Sequence, residues 1–310
     1  MKIAIIGAGA MGSLFGGKLS YVADVCLYDV NRQHVDAVNE HGLIMSQGEK
    51  EYIARPRATS DPEEIGTVDA AIFFTKYTFM EAAVKDAMHC IGPDTFVVSL
   101  QNGIGAADVI RRHVDDSQVA YGLTAYTSDM KGPGHIEMTT HDQVGTYFWP
   151  VNGVISEKAM ALEKVMNEAG FETKITKDVD KKIWRKLMIN CSENVLSSIL
   201  RIPVGRLVET EGSMELIRLI IGEISAVAQA KGIDLTPEEG LDYVLEVSKA
   251  VAEHLPSMAL DVKNSRKTEI AVLNEAVAAE GKLLGIETPV ISATARLIRA
   301  LEDNYGKFEW

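Results

Sequence analysis

Cysteine is scarce in this chain: three in 310 residues, Cys26, Cys90 and Cys191, far apart and with no CxxC pair. That excludes a disulfide framework or a cysteine-rich zinc centre, and a reducing, cytoplasmic setting fits best. Cys191 reads as a small packed residue, and no metal site is expected. Blocks of Lys and Arg are absent too. The formal net charge is −13, with 44 acidic residues against 31 basic. No run could neutralise a series of phosphates, so nucleic acid and an anionic membrane surface drop out as partners. Long apolar runs are also missing. The most apolar helix-like piece, LIRLIIGEI at 216–224, is interrupted by Arg218 and Glu223, and nothing approaches the ~20 residues that span a bilayer. The opening run Ile3–Ile6 is too short for a signal peptide and stops at Gly7. A soluble protein is expected. What is present is ample apolar side chain, 46% of residues, enough for two cores at this length.

The chain has two halves with different periodicity. Up to about Ile175 short apolar runs alternate with helical segments. The strands are KIAIIG, ADVCLYD, VDAAIFF at 68–74 and TFVVSL at 95–100; helices follow from about Met11, over NRQHVDAVNEHG and over YTFMEAAVKDAMHCIG. Such alternation predicts a parallel, doubly wound sheet. QVAYGLTAYTSDM, GHIEMTT and QVGTYFW are β-rich and are expected to add antiparallel strands at its far side. A helix at about 156–169 and a strand FETKIT close this half. From Asp178 the periods are helical only, over 178–201, 213–231, 237–253, about 258–284 and 289–303, punctuated by Pro203, Gly212, Pro237, Pro256 and Pro289. The expected fold class is an α/β Rossmann-type N-terminal domain, 1–177, plus an all-α C-terminal domain, 178–310.

KIAIIGAGAMG holds Gly7, Ala8, Gly9, Ala10, Met11 and Gly12, a GxGxxG that follows a strand and opens a helix. In that context it is a dinucleotide fingerprint. Gly7 makes the tight turn, Gly9 admits a pyrophosphate to the backbone, and Gly12 lets helix and strand pack closely. Unpaired N–H groups at the helix start favour the phosphates. Asp29 ends the second strand, where a carboxylate can accept from an adenosine ribose and repel a 2′-phosphate. Arg32, three residues on, can instead clamp that phosphate. NADH is slightly favoured and NADPH stays open.

In IWRKLMINCSENVLSS, at 183–198, a largely apolar helix carries Lys186, Asn190 and Asn194 in one row. At i, i+4 and i+8 each step turns about 40° around an α-helical axis. A cation and two amides are costly to bury without partners, so the row points to a polar ligand.

Read in order, Gly7–Gly12, Thr75-Lys76, Gln101-Asn102-Gly103, Trp184…Lys186…Asn190…Asn194 and Pro256-Ser257-Met258…Asp261…Thr268-Glu269-Ile270 resemble the ketopantoate reductase (2-dehydropantoate 2-reductase) family over nearly the whole chain. The resemblance implies reduction of a small-molecule 2-oxo acid, foremost 2-dehydropantoate (ketopantoate), to an (R)-2-hydroxy acid by NADH or NADPH. It implies Lys186 as general acid, with Glu269 as its positioning partner. It implies Asn190 and Asn194 on substrate polar groups, Ser257 on the substrate carboxylate, Asn102 on the carbonyl and the nicotinamide, and Lys76 at the nicotinamide ribose. A homodimer is compatible with this reading.

The sequence departs from the family at Asn274-Glu275, where Asn-Gly is usual, and at His254-Leu255-Pro256, where a small polar stretch is usual. Asp29 departs too, since pantoate-pathway members prefer NADPH. If His254 lines the substrate site it changes the size and polarity there; a surface place on a helix is the other reading. The departures keep open an NADH-dependent D-2-hydroxyacid dehydrogenase acting on branched or aromatic 2-oxo acids. A 3-hydroxyacid dehydrogenase and a nicotinamide-sensing protein without turnover are the remaining rivals.

Overall fold

The computed structural model describes residues 1–140 and 144–307 and divides into two compact units, Met1–Gln101 with Ala106–Val179, and Asn102–Gly105 with the chain from Asp180 on. Gln143, where the last β-rich segment was expected to begin, and the final three residues of the expected helical domain lie outside the described residues.

The first unit is built on eight strands: β1 (Lys2–Ile6), β2 (Asp24–Tyr28), β5 (Arg57–Thr59), β6 (Ala70–Phe73), β7 (Phe96–Ser99), β8 (Val119–Thr124), β11 (Gly145–Pro150) and β12 (Glu172–Ile175), in the spatial order β12-β11-β8-β7-β6-β1-β2-β5. All pairs are parallel except β8 with β11. Strand side chains alternate between faces, so β1 supplies both cores: Ile3 and Ile5 to one, Ala4 and Ile6 to the other. The helices are α1 (Ala10–Leu19), α2 (Arg32–His41), α3 (Met80–Ala87), α4 (Ala106–Ile110) and α5 (Glu157–Glu168). Leu14, Phe15 and Val35 pack on the first face, Met80, Val84 and Val109 on the second. This is the doubly wound arrangement that the alternating pattern predicts.

Two parts of this unit differ from the sequence expectation. Residues 43–54 form a hairpin of β3 (Leu43–Gln47) and β4 (Lys50–Ala54), turned at Gly48 with φ 59°. It joins β9 (Ser128–Gly132) and β10 (His135–Met138) in a separate four-stranded sheet, β4-β3-β10-β9. Of the three β-rich segments, GTYFWP does extend the large sheet antiparallel, whereas QVAYGLT joins it parallel to β7, and SDMKG and HIEM leave it. The hairpin escaped notice because β4 is exposed at four of its five positions, which removes the apolar alternation by which strands are recognised.

The second unit contains, among its described residues, helices only: α6 (Val179–Ile189, its first residue in the other unit), a π turn at Asn190–Asn194, α7 (Val195–Leu200), α8 (Val204–Glu209), α9 (Glu211–Ala230), α10 (Pro237–Ala250), α11 (Ser257–Lys263), α12 (Asn274–Leu284) and α13 (Pro289–Asp303), with one short 3₁₀ turn at Ile270–Val272. The apolar stripe of α9, Ile217, Ile220, Ile221, Ile224 and Val227, is its buried centre, packed on α8, α10, α12 and α13. Glu223 of α9 accepts from the N–H groups of Val290 at 2.8 Å and Ile291 at 2.9 Å. It thereby caps α13, whose own N-cap Thr288 makes no side-chain cap bond. The expected single helix over 258–284 is two, because the chain breaks at polar residues 264–267, where Ser265 takes φ 52°. Among the described residues no helix is long and apolar enough to cross a membrane.

The glycine turn after β1 depends on close approach. A Cβ on Gly12 would run into the Gly7 carbonyl oxygen, whereas one on Gly9 would meet nothing within 4 Å. Gly12→Ala should therefore push β1 and α1 apart and destabilise the unit by about 1–3 kcal/mol, the usual cost of overpacking. Gly9→Ala should leave the melting temperature close to the parent's. Thermal unfolding of the two variants side by side checks both.

Candidate active site

Asn102–Gly105 follow β7 in the chain but belong to the helical unit. Two features seat them there. The Ile104 N–H donates to the Val272 carbonyl at 3.1 Å. Gly103, at φ 84°, lies so close to Val272 that any Cβ would strike its carbonyl oxygen. This delivers the Asn102 side chain to α6. Lys186 Nζ donates to Asn102 Oδ1 at 2.8 Å, and Asn102 Nδ2 donates to Glu269 Oε2 at 3.3 Å. An ammonium only donates and a carboxylate only accepts, so the network itself fixes which way the Asn102 amide points. Burial pushes the Lys186 ammonium down to about 8, against the opposing pull of the Glu269 charge.

Asn102, Asn190, Asn194, Ser257 and Glu269 line one cleft together with Met258, Asp261 and Leu273. Five sequence-predicted residues thus meet at one place. Lys186 is not among the walls; its ammonium bonds to Asn102, which is. His254 is exposed and lies outside the lining, but on the stretch between α10 and α11 and not on a helix as the surface reading had it. Asp261, buried, is a wall that the motif contained without an assigned role; its Oδ1 pairs with Arg266 Nε at 2.9 Å.

The row in α6 is held by a device the sequence reading missed. Asn190–Asn194 form a π turn, in which bonds run i→i+5 and each revolution takes more residues than in an α-helix. A four-residue step overshoots an α revolution by about 40° but falls slightly short of a π revolution. The turn therefore cancels the drift and keeps Asn194 in line with Asn190, whose Oδ1 accepts from Asn194 Nδ2 at 2.9 Å. Side chains satisfy the carbonyls around it: Ser192 Oγ donates to Met188, Ser198 Oγ to Asn194 at 2.6 Å, and Asn274 Nδ2 to Cys191 at 3.0 Å. Such back-bonding by Ser distorts a regular helix. Glu275, the unusual residue after Asn274, forms a bidentate pair with Arg299, both bonds 2.7 Å.

Glu269 is placed from below. Buried Glu302 of α13 accepts from the Thr268 N–H at 2.8 Å and the Thr268 Oγ at 2.7 Å, and from Lys267 and Arg299. Burial alone would raise its carboxyl; these four donors outweigh burial and hold it below the ordinary range. Nothing local in the sequence marks Glu302, which acts across 34 residues.

In the first unit, the turn Gly7–Gly12 offers a cradle that fits a dinucleotide: exposed Gly9, open space where its Cβ would lie, and a ten-residue helix with no side-chain cap on its N-terminus. Asp29 is half-buried at the end of β2, its Oδ1 accepting from the Asn31 N–H at 2.9 Å. Asn31, not Asp29, caps α2. Arg32 and Lys76 are exposed, Lys76 just before a 3₁₀ turn at Tyr77–Phe79. Among the described residues no cluster of His, Cys, Asp and Glu could hold a metal ion.

A Rossmann unit with an open glycine turn, joined to a helical unit whose cleft gathers three asparagines and a glutamate, with a lysine bonded to one of the asparagines, defines a class: nicotinamide-dependent oxidoreductases of small polar substrates. Comparisons make the class specific. The model of the family described as Ketopantoate reductase PanE/ApbA matches residues 3–150, and that of Ketopantoate reductase PanE/ApbA C terminal matches residues 178–302. A 2-dehydropantoate 2-reductase of Streptococcus pyogenes serotype M1 is 32% identical over 304 residues, 97% of this chain and 98% of its own. The ternary structure of a D-mandelate dehydrogenase with NADH and anilino(oxo)acetate aligns at 31% identity with a TM-score of 0.92, over 98% of this chain and 99% of that one. The PanE/ApbA family ketopantoate reductase from Ralstonia eutropha JMP134 aligns at 30% identity with a TM-score of 0.89, over the same shares. The chain belongs to the ketopantoate reductase family.

Glu193 lies inside the π turn, buried, with Ser248 Oγ of α10 donating to its carboxyl. Burial pushes that carboxyl up to about 7, the Ser248 bond opposing. A carboxyl raised on folding stabilises the fold at low pH and loses that contribution as pH climbs from the unfolded value through about 7. Glu193→Gln should match the parent's melting temperature near pH 5 and exceed it at pH 8, the gap opening by up to about 1 kcal/mol per pH unit. Melting curves across that range test it.

Proposed function

We propose that this chain reduces a 2-oxo acid to the (R)-2-hydroxy acid, foremost 2-dehydropantoate to pantoate, with a reduced nicotinamide cofactor. The observation that carries this is the bond series Lys186–Asn102–Glu269 at a cleft walled by Asn190, Asn194 and Ser257. A bound nicotinamide supplies the hydride. As the substrate carbonyl carbon is reduced its oxygen gains negative charge, and Lys186 stabilises that charge and gives up a proton to it. Glu269, through Asn102, keeps the ammonium oriented and its charge favoured. Ser257 donates to the substrate carboxylate, while Asn190 and Asn194 pair with the carboxylate and the terminal hydroxyl. An unpaired buried group there would cost about 1–3 kcal/mol. In the first unit the glycine turn takes the pyrophosphate, Lys76 the nicotinamide ribose, and Asp29 the adenosine ribose. Two carboxylate oxygens can accept from both ribose hydroxyls while repelling a 2′-phosphate, so NADH is preferred, with Arg32 the clamp if NADPH is used.

A second reading has support from one observation. The D-mandelate dehydrogenase aligned above was solved with NADH and anilino(oxo)acetate, and Met258 and Leu273 give the cleft here an apolar side. Branched or aromatic 2-oxo acids are then substrates too. His254 is no longer an argument for it, being outside the cleft.

Reduction needs the protonated lysine, so kcat/KM for reduction should fall as pH rises through about 8, and oxidation of the hydroxy acid should show the opposite trend. Lys186→Ala should lower turnover by about 10²–10⁴ with cofactor affinity nearly unchanged. A variant that keeps half its turnover, or a flat profile between pH 7 and 9, counts against the lysine. For substrate choice, 2-oxoisovalerate should be reduced within about tenfold of 2-dehydropantoate in kcat/KM, a gap of ~1.4 kcal/mol in transition-state binding. A thousandfold preference for 2-dehydropantoate would show that the hydroxyl is specifically read. Running both acids with NADH and with NADPH settles the cofactor in the same assay.

A further inference from the structure

His34, in the first turn of α2, is 1% exposed, and every proton around its ring is accounted for. The Gly134 N–H, from the turn between β9 and β10, donates to Nδ1 at 3.0 Å. Nδ1 is therefore the bare nitrogen and Nε2 carries the proton. Nε2 lies 3.1 Å from Ser13 Oγ, and Ser13 Oγ donates its one proton to the Ala8 carbonyl at 2.8 Å. The direction of the series is fixed: Gly134 N–H to His34, His34 to Ser13, Ser13 to Ala8. A protonated ring cannot occupy this place, since Nδ1–H would face the Gly134 N–H. Burial holds the imidazole below its ordinary range; Asp29, the charged group that acts on it, opposes this only in part.

The series ends inside the dinucleotide turn. Ala8 C=O and Gly9 N–H belong to one planar trans peptide and point in opposite directions. Holding the Ala8 oxygen toward Ser13 of α1 thus aims the Gly9 N–H away from the helix. Gly9 is the residue with open space above it. We propose that His34 is a positioning residue for the cofactor: as the neutral Nε2–H tautomer it ties the β9–β10 turn to the Ala8–Gly9 peptide, and its protonation weakens dinucleotide binding. The proposal rests on the reading that this turn holds the nicotinamide cofactor, and it assigns His34 no contact with it.

The test is NADH and NADPH titration of the full chain by fluorescence between pH 5 and 8, with no 2-oxo acid present. The parent's Kd should rise on acidification at least threefold more than that of His34→Gln, which has an amide N–H for Ser13 and an amide oxygen for Gly134 but no titrating ring. His34→Phe should bind at least fivefold more weakly at every pH. Long-range ¹H–¹⁵N spectra of the parent should show His34 as the Nε2–H tautomer at pH 7.5. A His34→Phe variant that folds and binds within twofold of the parent, a pH profile shared by parent and His34→Gln, or an Nδ1–H tautomer each overturns the proposal alone. A parent that binds neither cofactor overturns the functional reading, and the proposal with it.

Discussion

A cation on an apolar helix must find an acceptor, and much of the helical unit is arranged around meeting that need for Lys186. Its acceptor comes from the middle of the chain, because Asn102 is held on Val272 by Gly103 and Ile104. Asn102 in turn needs an acceptor for its amide N–H, and finds it in Glu269. Glu269 is fixed through Thr268 by Glu302, whose own buried charge is balanced by Lys267 and Arg299. Each polar group is placed by the one before it, so the lysine stays partly desolvated yet paired. Partial desolvation brings an ammonium close to neutral pH, where a proton donor works best.

What was legible in the sequence is what is encoded locally. A glycine turn between a strand and a helix is written in six residues, and the row Lys186, Asn190, Asn194 is visible because its spacing is helical. Asn102, Ser257 and Glu269 came from motif order, not from spacing, and the structure brings all three to the cleft. The π turn was not legible. Its supports are Ser192, Ser198 and Asn274, the last more than 80 residues away from the carbonyl it satisfies, and no helical period reports a carbonyl that has found a distant donor. The small sheet was lost for a different reason: β4 faces solvent and lacks an apolar alternation. The break near Ser265 was hidden because helical periodicity resumes on the far side.

Two of the three departures from the family pattern, at Glu275 and His254, turn out to differ in kind. Glu275 is a structural ion pair with Arg299 that leaves Asn274 free to serve the π turn. His254 is exposed, and only its backbone is engaged, with Val204 and Val251. Neither touches the cleft, so the character of the cleft is set by Met258, Leu273 and Asp261 among the polar walls.

The placement of Asn102–Gly105 within the helical unit bears on how the chain can be dissected. A fragment beginning at Asp180 would carry every helix of that unit but not the amide that joins its lysine to its glutamate. Severed there, it would lack the side chain that accepts from the ammonium and donates to the carboxylate. The two halves are therefore not interchangeable cassettes. A chimera that exchanges one for that of a relative must carry the loop after β7 along with the helices, or the reacting groups are assembled from parts that did not evolve together.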